Sequence, residues 1–291
     1  MQRRPARICN LTGLRALVFA LLLFGSSWAA SVGSAQAAPE PWNYWERNDA
    51  TSTLTIDHSI WTVFLGRYVI AGRDGINRVD YGHVSPEDRA ALMGYVASLE
   101  AAPVTRLSRA EQFDYWVNLY NATTVKLILD HYPVRSIREI SAGFFSIGPW
   151  SDKRLTIEGQ AVSLDDIENR ILRPIWSDPR VHYALNCASL GCPNLQPRAF
   201  TPAITEELLE RSARDYVNHE RGVLISYDRL IVSSIYHWYK EDFGGTDAGV
   251  IAHLKHYAAP QLAAELNRIT AIYDDHYDWR LNDVRTEAAR Q

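Results

Sequence analysis

The residue types best suited to chemistry lie in one short stretch, from Val181 to Pro193: Val181-His182-Tyr183-Ala184-Leu185-Asn186-Cys187-Ala188-Ser189-Leu190-Gly191-Cys192-Pro193. A cysteine nucleophile needs its thiolate stabilised and a base within about 3 Å. His182 is the nearest candidate base for Cys187, and Asn186 is a group that could orient it or polarise a carbonyl. Val181 to Asn186 alternates, which predicts a strand with His182 and Cys187 on opposite faces, about 16 Å apart at about 3.3 Å per residue. The two meet only if the chain turns sharply at Asn186, and Ser189, Gly191 and Pro193 are residues that permit turns. Otherwise the base must come from elsewhere, with His237 next in line.

Three readings of the cysteine pair stand. With Gly191 between them, Cys187 and Cys192 suit a local disulfide. Alternatively, Cys187 is reactive, either free or under redox control. The third reading is a metal site, but His182-x4-Cys187-x4-Cys192 misses the usual zinc spacings, so no metal is assigned.

Asn121 falls at the border of the apolar stripe of a strongly patterned helix, with Asn118 further round. A buried carboxamide there needs partners; it serves either a structural hydrogen bond or the orientation of a catalytic group. Asp242 lies four residues after Trp238 and seven after Ile235, on what would be their helical face. A carboxylate in that position needs a partner, and His182 or an arginine such as Arg173 would serve. Asp165, Asp166 and Glu168 open a short helix, where the helix dipole accounts for at least the first two.

Compartment decides how sulfur should be read. Arg3, Arg4, Arg7 and Arg15 precede an apolar run from Ala16 to Phe24, and Ala35-Gln36-Ala37 supplies a small-x-small pattern. Residues 1–37 are therefore expected to be a signal peptide and the protein periplasmic or secreted, with no membrane span once the signal is removed. Loss of those four arginines carries the net charge from −4 to −8, which argues against nucleic acid as a partner. Cys9 leaves with the signal, so Cys187 and Cys192 remain where disulfides persist.

The elements that must position these residues announce several of their ends. Ser85-Pro86-Glu87-Asp88 caps a helix carrying Leu92, Val96 and Leu99. Ser108-Arg109-Ala110-Glu111 reads as a capping box before the stripe Phe113, Trp116, Val117, Tyr120, Thr124, Leu127 and Ile128. Ser163 opens a helix through Ile167 and Ile171 that Pro174 is expected to stop, and Thr201-Pro202 opens another running towards Gly222. Arg154 to Gly159 alternates; Val223–Ser226 and Leu230–Ser233 predict a hairpin around Tyr227-Asp228-Arg229, and Ile269 to Tyr273 adds a last strand. Helices early and short strands late predict an α+β fold, one helix-rich domain (54–291) packed on a small, mostly antiparallel sheet. An arm over 38–53, carrying Trp42, Tyr44 and Trp45, precedes it.

Glu111 to Ala122, Tyr132-Pro133-Val134-Arg135-Ser136-Ile137, Ser163 to Glu168, His182 to Pro193, Trp238 to Phe243, and Tyr277-Asp278-Trp279-Arg280-Leu281-Asn282 together resemble the family catalogued as domain of unknown function 547. The resemblance runs from about His58 to Asn282 and implies an exported bacterial member. Asn169 departs from the pattern, which often has His after Ile-Glu. Carried onto this chain, the pattern makes His182, Asn186 and Cys187 the active centre, with Asn121 in support, and implies no cofactor. Two functional readings follow. One is a cysteine-dependent acyl or amide hydrolase or transferase acting on an unknown substrate in the cell envelope. The other is a non-catalytic envelope binding or structural module with a Cys187–Cys192 disulfide. The oligomeric state is left open.

Overall fold

A computed structural model describes residues 40–140 and 148–288, with side chains to Thr286. The signal-peptide reading therefore lies outside the described residues. In chain order the elements are α1 (Ser59–Tyr68), β1 (Val69–Ala71), β2 (Asn77–Val79), α2 (Pro86–Glu100), α3 (Arg109–His131), β3 (Leu155–Ile157) and β4 (Gln160–Val162). A π-helical stretch, Asp166–Leu172, continues into α4 (Arg173–Trp176) and is followed by α5 (Val181–Ala184) and α6 (Thr205–Val217). Then come β5 (Val223–Ser226), β6 (Arg229–Ser233), α7 (Ile235–Trp238), α8 (Asp247–Tyr257), α9 (Pro260–Leu266), β7 (Ile272–His276) and α10 (Val284–Ala288).

The class is α+β, as expected, but among the described residues the strands form three small sheets instead of one. β1–β2 and β3–β4 are antiparallel hairpins; β5 pairs antiparallel with β6, and β6 pairs parallel with β7. The β5–β6 turn is Tyr227-Asp228, both at positive φ (50° and 56°), the backbone of a two-residue type I′ hairpin turn. The last strand begins three residues later than the alternation suggested.

α3 is the axis of the fold. Ser108 caps it by accepting the Glu111 N–H at 3.3 Å. The reciprocal half of the expected capping box is replaced, because the Glu111 carboxylate accepts the Ile56 N–H instead, at 3.4 Å. From Glu111 to Val125 every residue of α3 is buried, so it behaves as an interior helix enclosed on all sides. That is why Asn118, placed off the stripe by periodicity, is as buried as Asn121. The aromatics at the start of the described chain pack on α3: Trp45 sits edge-on to Trp116 at 5.0 Å, and Gln112 Nε2 donates to Arg47 O at 2.7 Å.

Two further expectations fail locally. Pro174 lies inside α4 rather than stopping the helix, which ends at Ser177 in a left-handed conformation (φ 49°). The helix expected from Thr201 starts at Thr205.

The described residues form two hydrophobic clusters, one around α3 and one around Tyr216, Tyr236, Phe243 and Leu254. α5 joins them. Val181, Ala184 and Leu185 belong to the first cluster and Tyr183 to the second. The expected strand over Val181–Asn186 is thus a single helical turn, closed by Leu185 N–H to Val181 O at 3.2 Å. Buried on every side, the segment has no solvent face for an alternating pattern to report.

Candidate functional site

The stretch after α5 is placed by asparagines. Asn121 donates Nδ2–H to Ala184 O (2.9 Å) and accepts the Asn186 N–H at Oδ1 (2.8 Å), so its whole carboxamide clamps the exit of α5. Asn186 then shapes the next turn: Oδ1 accepts the Ala188 N–H (2.9 Å) and Nδ2 donates to Pro193 O (2.8 Å). The first of these is an Asx-turn, which lets Ala188 sit at φ 58°. The chain therefore does turn back at Asn186, and His182 and Cys187 come to line one cleft.

That cleft encloses about 270 Å³. Its wall includes Cys187, Cys192, His182, Glu168 and Asp165, and the aromatics Trp150, Trp238, Tyr239, Tyr277 and Trp279 close it. Trp238, 47% exposed, stacks on Trp279 with ring centroids 5.7 Å apart. Tyr277 fills the angle between them, at 4.9 Å from Trp238 and 4.7 Å from Trp279.

Cys187 and Cys192 are joined as a disulfide with Cα atoms 6.2 Å apart. Closing so short a loop is worth only about 2 kcal/mol in the chain-entropy model. Tyr277 Oη lies 3.1 Å from Cys187 Sγ and 3.2 Å from Cys192 Sγ, and Ser189 Oγ lies 3.3 Å from each. Gly191 permits this approach: a Cβ there would meet Asp278 N at 2.8 Å and the Tyr277 ring at 3.0 Å.

His182 is only 4% exposed, and its two nitrogens face carboxylates. Nε2 is 2.7 Å from Asp242 Oδ2, and Nδ1 is 3.5 Å from Glu168 Oε1. Burial works against its charge, but the Asp242 and Glu168 bonds outweigh it and raise the imidazole above its ordinary value. The ring also stacks on Tyr239 at 4.2 Å. Asp242 in turn takes a bidentate Arg173, Nε to Oδ2 at 2.5 Å and Nη2 to Oδ1 at 3.0 Å. Burial opposes its ionisation, yet the His182 and Arg173 bonds hold its carboxyl down at about 2. Both partners proposed for Asp242 are therefore present at once. Arg173 Nη1 also donates to Asn169, the position that departs from the family pattern, at 2.8 Å.

Among the candidate residues, His182, Cys187 and Cys192 share the cleft, while Asn121 and Asn186 lie behind it with their amide groups spent on backbone. His237 does not join them; it is exposed and lines a separate hollow with Lys240 and Asp247. Residue patterns missed Glu168, Asp165 and the aromatic wall. Glu168 Oε2 accepts the Tyr120 hydroxyl at 3.3 Å. Asp165 is raised to about 6, by burial first and then by the charges of Glu168 and Asp166, with Lys153 opposing. The available signal was the three-residue spacing of Asp165 and Glu168 on one helical run, with Asp166 between them turned away to Ser163 and Lys153.

The family model described as "Protein of unknown function, DUF547" matches residues 104–217. The chain resembles that family. The match takes in α3, the Asp165–Glu168 turn and both cysteines, and is shorter than the His58–Asn282 span of the motifs. Asp242, Tyr277 and Trp279 fall beyond it. No curated protein matches the chain, and no solved structure does. No helix among the described residues is long and apolar enough to cross a membrane.

Proposed function

We propose that this is an exported envelope protein, one domain from residue 54 onward, whose aromatic cleft binds an external ligand without acyl or amide chemistry in its oxidised form. One observation carries the reading: Cys187 is bonded to Cys192, and both nitrogens of His182 are turned to carboxylates. A nucleophile and a free base are what acyl transfer requires, and neither group is free. Stacked tryptophans around a small cavity with a few polar groups suit ligand binding.

The test is a titration with small aromatic, glycosidic and amide fragments, read by tryptophan emission. Saturable quenching in the wild type, lost in Trp238→Ala, is the expected result; no quenching by any fragment overturns the reading. Export is checked by cell fractionation and N-terminal sequencing, with Ala38 as the expected first residue.

One observation favours the second reading, a cysteine-dependent acyl or amide hydrolase or transferase. Cys187 Sγ reaches the cleft wall beside the hydroxyls of Tyr277 and Ser189. In that reading reduction frees Cys187, Asn121 and Asn186 position it, and His182 with Asp242 supplies a fixed positive charge. An acylation burst with p-nitrophenyl acetate, seen only after reduction and absent in Cys187→Ser, would replace the first reading with this one.

A further inference from the structure

The Cys187–Cys192 bond is not what holds its loop in shape. Asn186 spans almost the same interval with its side chain, binding Ala188 N–H on one side and Pro193 O on the other. The backbone is then tied to the 278–282 segment three times. Asn282 N–H donates to Ala188 O at 3.1 Å, Leu190 N–H to Arg280 O at 2.8 Å, and Gly191 N–H to Asp278 O at 2.9 Å. From below, Tyr216 Oη donates to Gly191 O at 2.7 Å and Arg221 Nη1 to Leu190 O at 3.2 Å. A loop fixed so many times gains little rigidity from one more short-range link, so the bond is redundant as a staple.

The two sulfurs are also unequal. Cys192 is 2% exposed, whereas Cys187 is half-buried on the cleft wall. Cys192 Sγ accepts the Cys187 backbone N–H at 2.9 Å and has the Tyr277 and Ser189 hydroxyls at 3.2 and 3.3 Å. The two hydroxyls lie as near to Cys187 Sγ, at 3.1 and 3.3 Å, so what sets Cys192 apart is the backbone N–H held on the sulfur that would carry negative charge. Exchange is fastest when the attacked sulfur is accessible and the departing thiolate is stabilised.

We propose that the pair is a redox-active disulfide that exchanges with thiols entering the cleft, with Cys187 as the attacked sulfur and Cys192 as the leaving group. This goes beyond the binding reading and rests on it, since the cleft must admit the thiol. An incoming thiolate forms a bond to Cys187 Sγ as the Cys187–Cys192 bond breaks, and the electron pair departs onto Cys192 Sγ. A second thiolate, from the same dithiol or another thiol, attacks the substrate sulfur of the mixed disulfide and releases Cys187 as thiolate. Two substrate thiols are oxidised to a disulfide, the protein's own disulfide is reduced by two electrons, and the two thiol protons end on Cys187 and Cys192.

The experiment uses the oxidised protein with glutathione as probe, quenched in acid, alkylated and mapped by peptide mass. Glutathione on Cys187 with the alkyl group on Cys192 is expected, in at least tenfold excess over the reverse. Tyr277→Phe should slow formation of the adduct several-fold, and with oxidised glutathione supplied as the disulfide partner, Cys192→Ser should form and keep the Cys187 adduct while Cys187→Ser forms none in the native state. Glutathione on Cys192, or reaction only in denaturant, overturns the proposal. The fragment titration is run on the same sample: quenching retained without exchange overturns the exchange alone, and loss of both overturns the binding reading as well.

Discussion

Asn118 and Asn121 stand three residues apart on α3 and make the same clamp on two different stretches of chain. Asn118 donates to Phe200 O at 2.8 Å and accepts the Phe200 N–H at 3.0 Å; Asn121 does likewise for Ala184 O and Asn186 N–H. Beyond the Phe200 clamp the chain enters α6, and Thr205 hydrogen-bonds Asp114 on α3. Beyond the Asn186 clamp it turns into the disulfide loop and the cleft. An identical device thus serves a purely structural crossing and a candidate site, so a buried asparagine does not mark the chemistry. What differs is what the clamp presents: two sulfurs and a charged network on one side, a helix start on the other.

The largest effects should fall equally on both sides. Asn118→Ala and Asn121→Ala each orphan one buried N–H and one buried C=O, at about 1–3 kcal/mol per group, so urea unfolding should show losses of up to about 6 kcal/mol. Fragment binding separates the two variants, because only Asn121→Ala should change it. A binding defect of equal size in Asn118→Ala would break the distinction.

Next comes Asp114, on the structural side. Burial pushes its carboxyl up to about 7; the Thr205 bond lowers it and Glu111 raises it further, and its Oδ2 has no partner. The folded state therefore keeps a proton that the unfolded chain has released. Stability is fullest below about 3.8 and is lost as pH rises through about 7, by up to about 4 kcal/mol. Asp114→Asn should flatten that slope in denaturation curves collected from pH 4 to 8, and an unchanged slope would contradict the assignment.

Behind His182, Asp242 lines a separate hollow with Asn169 and Arg173, and Asp242→Ala leaves Arg173 and His182 without their shared carboxylate and should cost about 3 kcal/mol. The signs are opposite at the two ends of the pH scale. His182, raised when folded, stabilises below about 6.5, and this is lost as pH rises through its folded value; Asp242, held at about 2, stabilises above 3.8 and loses this as pH falls towards 2. NMR titration of His182 should show it moving down in the variant. The smallest effect is expected for Cys187→Ser with Cys192→Ser together, about 2 kcal/mol or less by thermal unfolding, because Asn186 and the 278–282 segment retain the loop.

Local signals were legible where one residue determines one contact. Ser85 and Ser108 cap their helices, and the β5–β6 hairpin forms with a turn one residue shorter than Tyr227-Asp228-Arg229. Asp242 finds both partners, but not from a shared helical face: α7 ends at Trp238, which is 47% exposed, and Asp242 lies in a separate 3-10 turn, Lys240–Phe243. α5 was not legible because Val181, His182, Tyr183 and Ala184 are all buried, so alternation carried no information about a face. Glu168 was hidden by its place in an acidic helix start, where the dipole already explains carboxylates. Tyr277 and Trp279 reach the cleft only through the pairing of 278–282 with the cysteine loop, a contact across about ninety residues that no local pattern encodes.

A bonded Cys187 and a carboxylate-bound His182 leave the native cleft without a free nucleophile and base. Alkylation of the native protein, purified and handled without reductant, with peptide mapping of Cys187 and Cys192, tests it most directly. Neither cysteine is expected to carry an alkyl group. An alkyl group on Cys187 would contradict it and return the site to a free cysteine nucleophile.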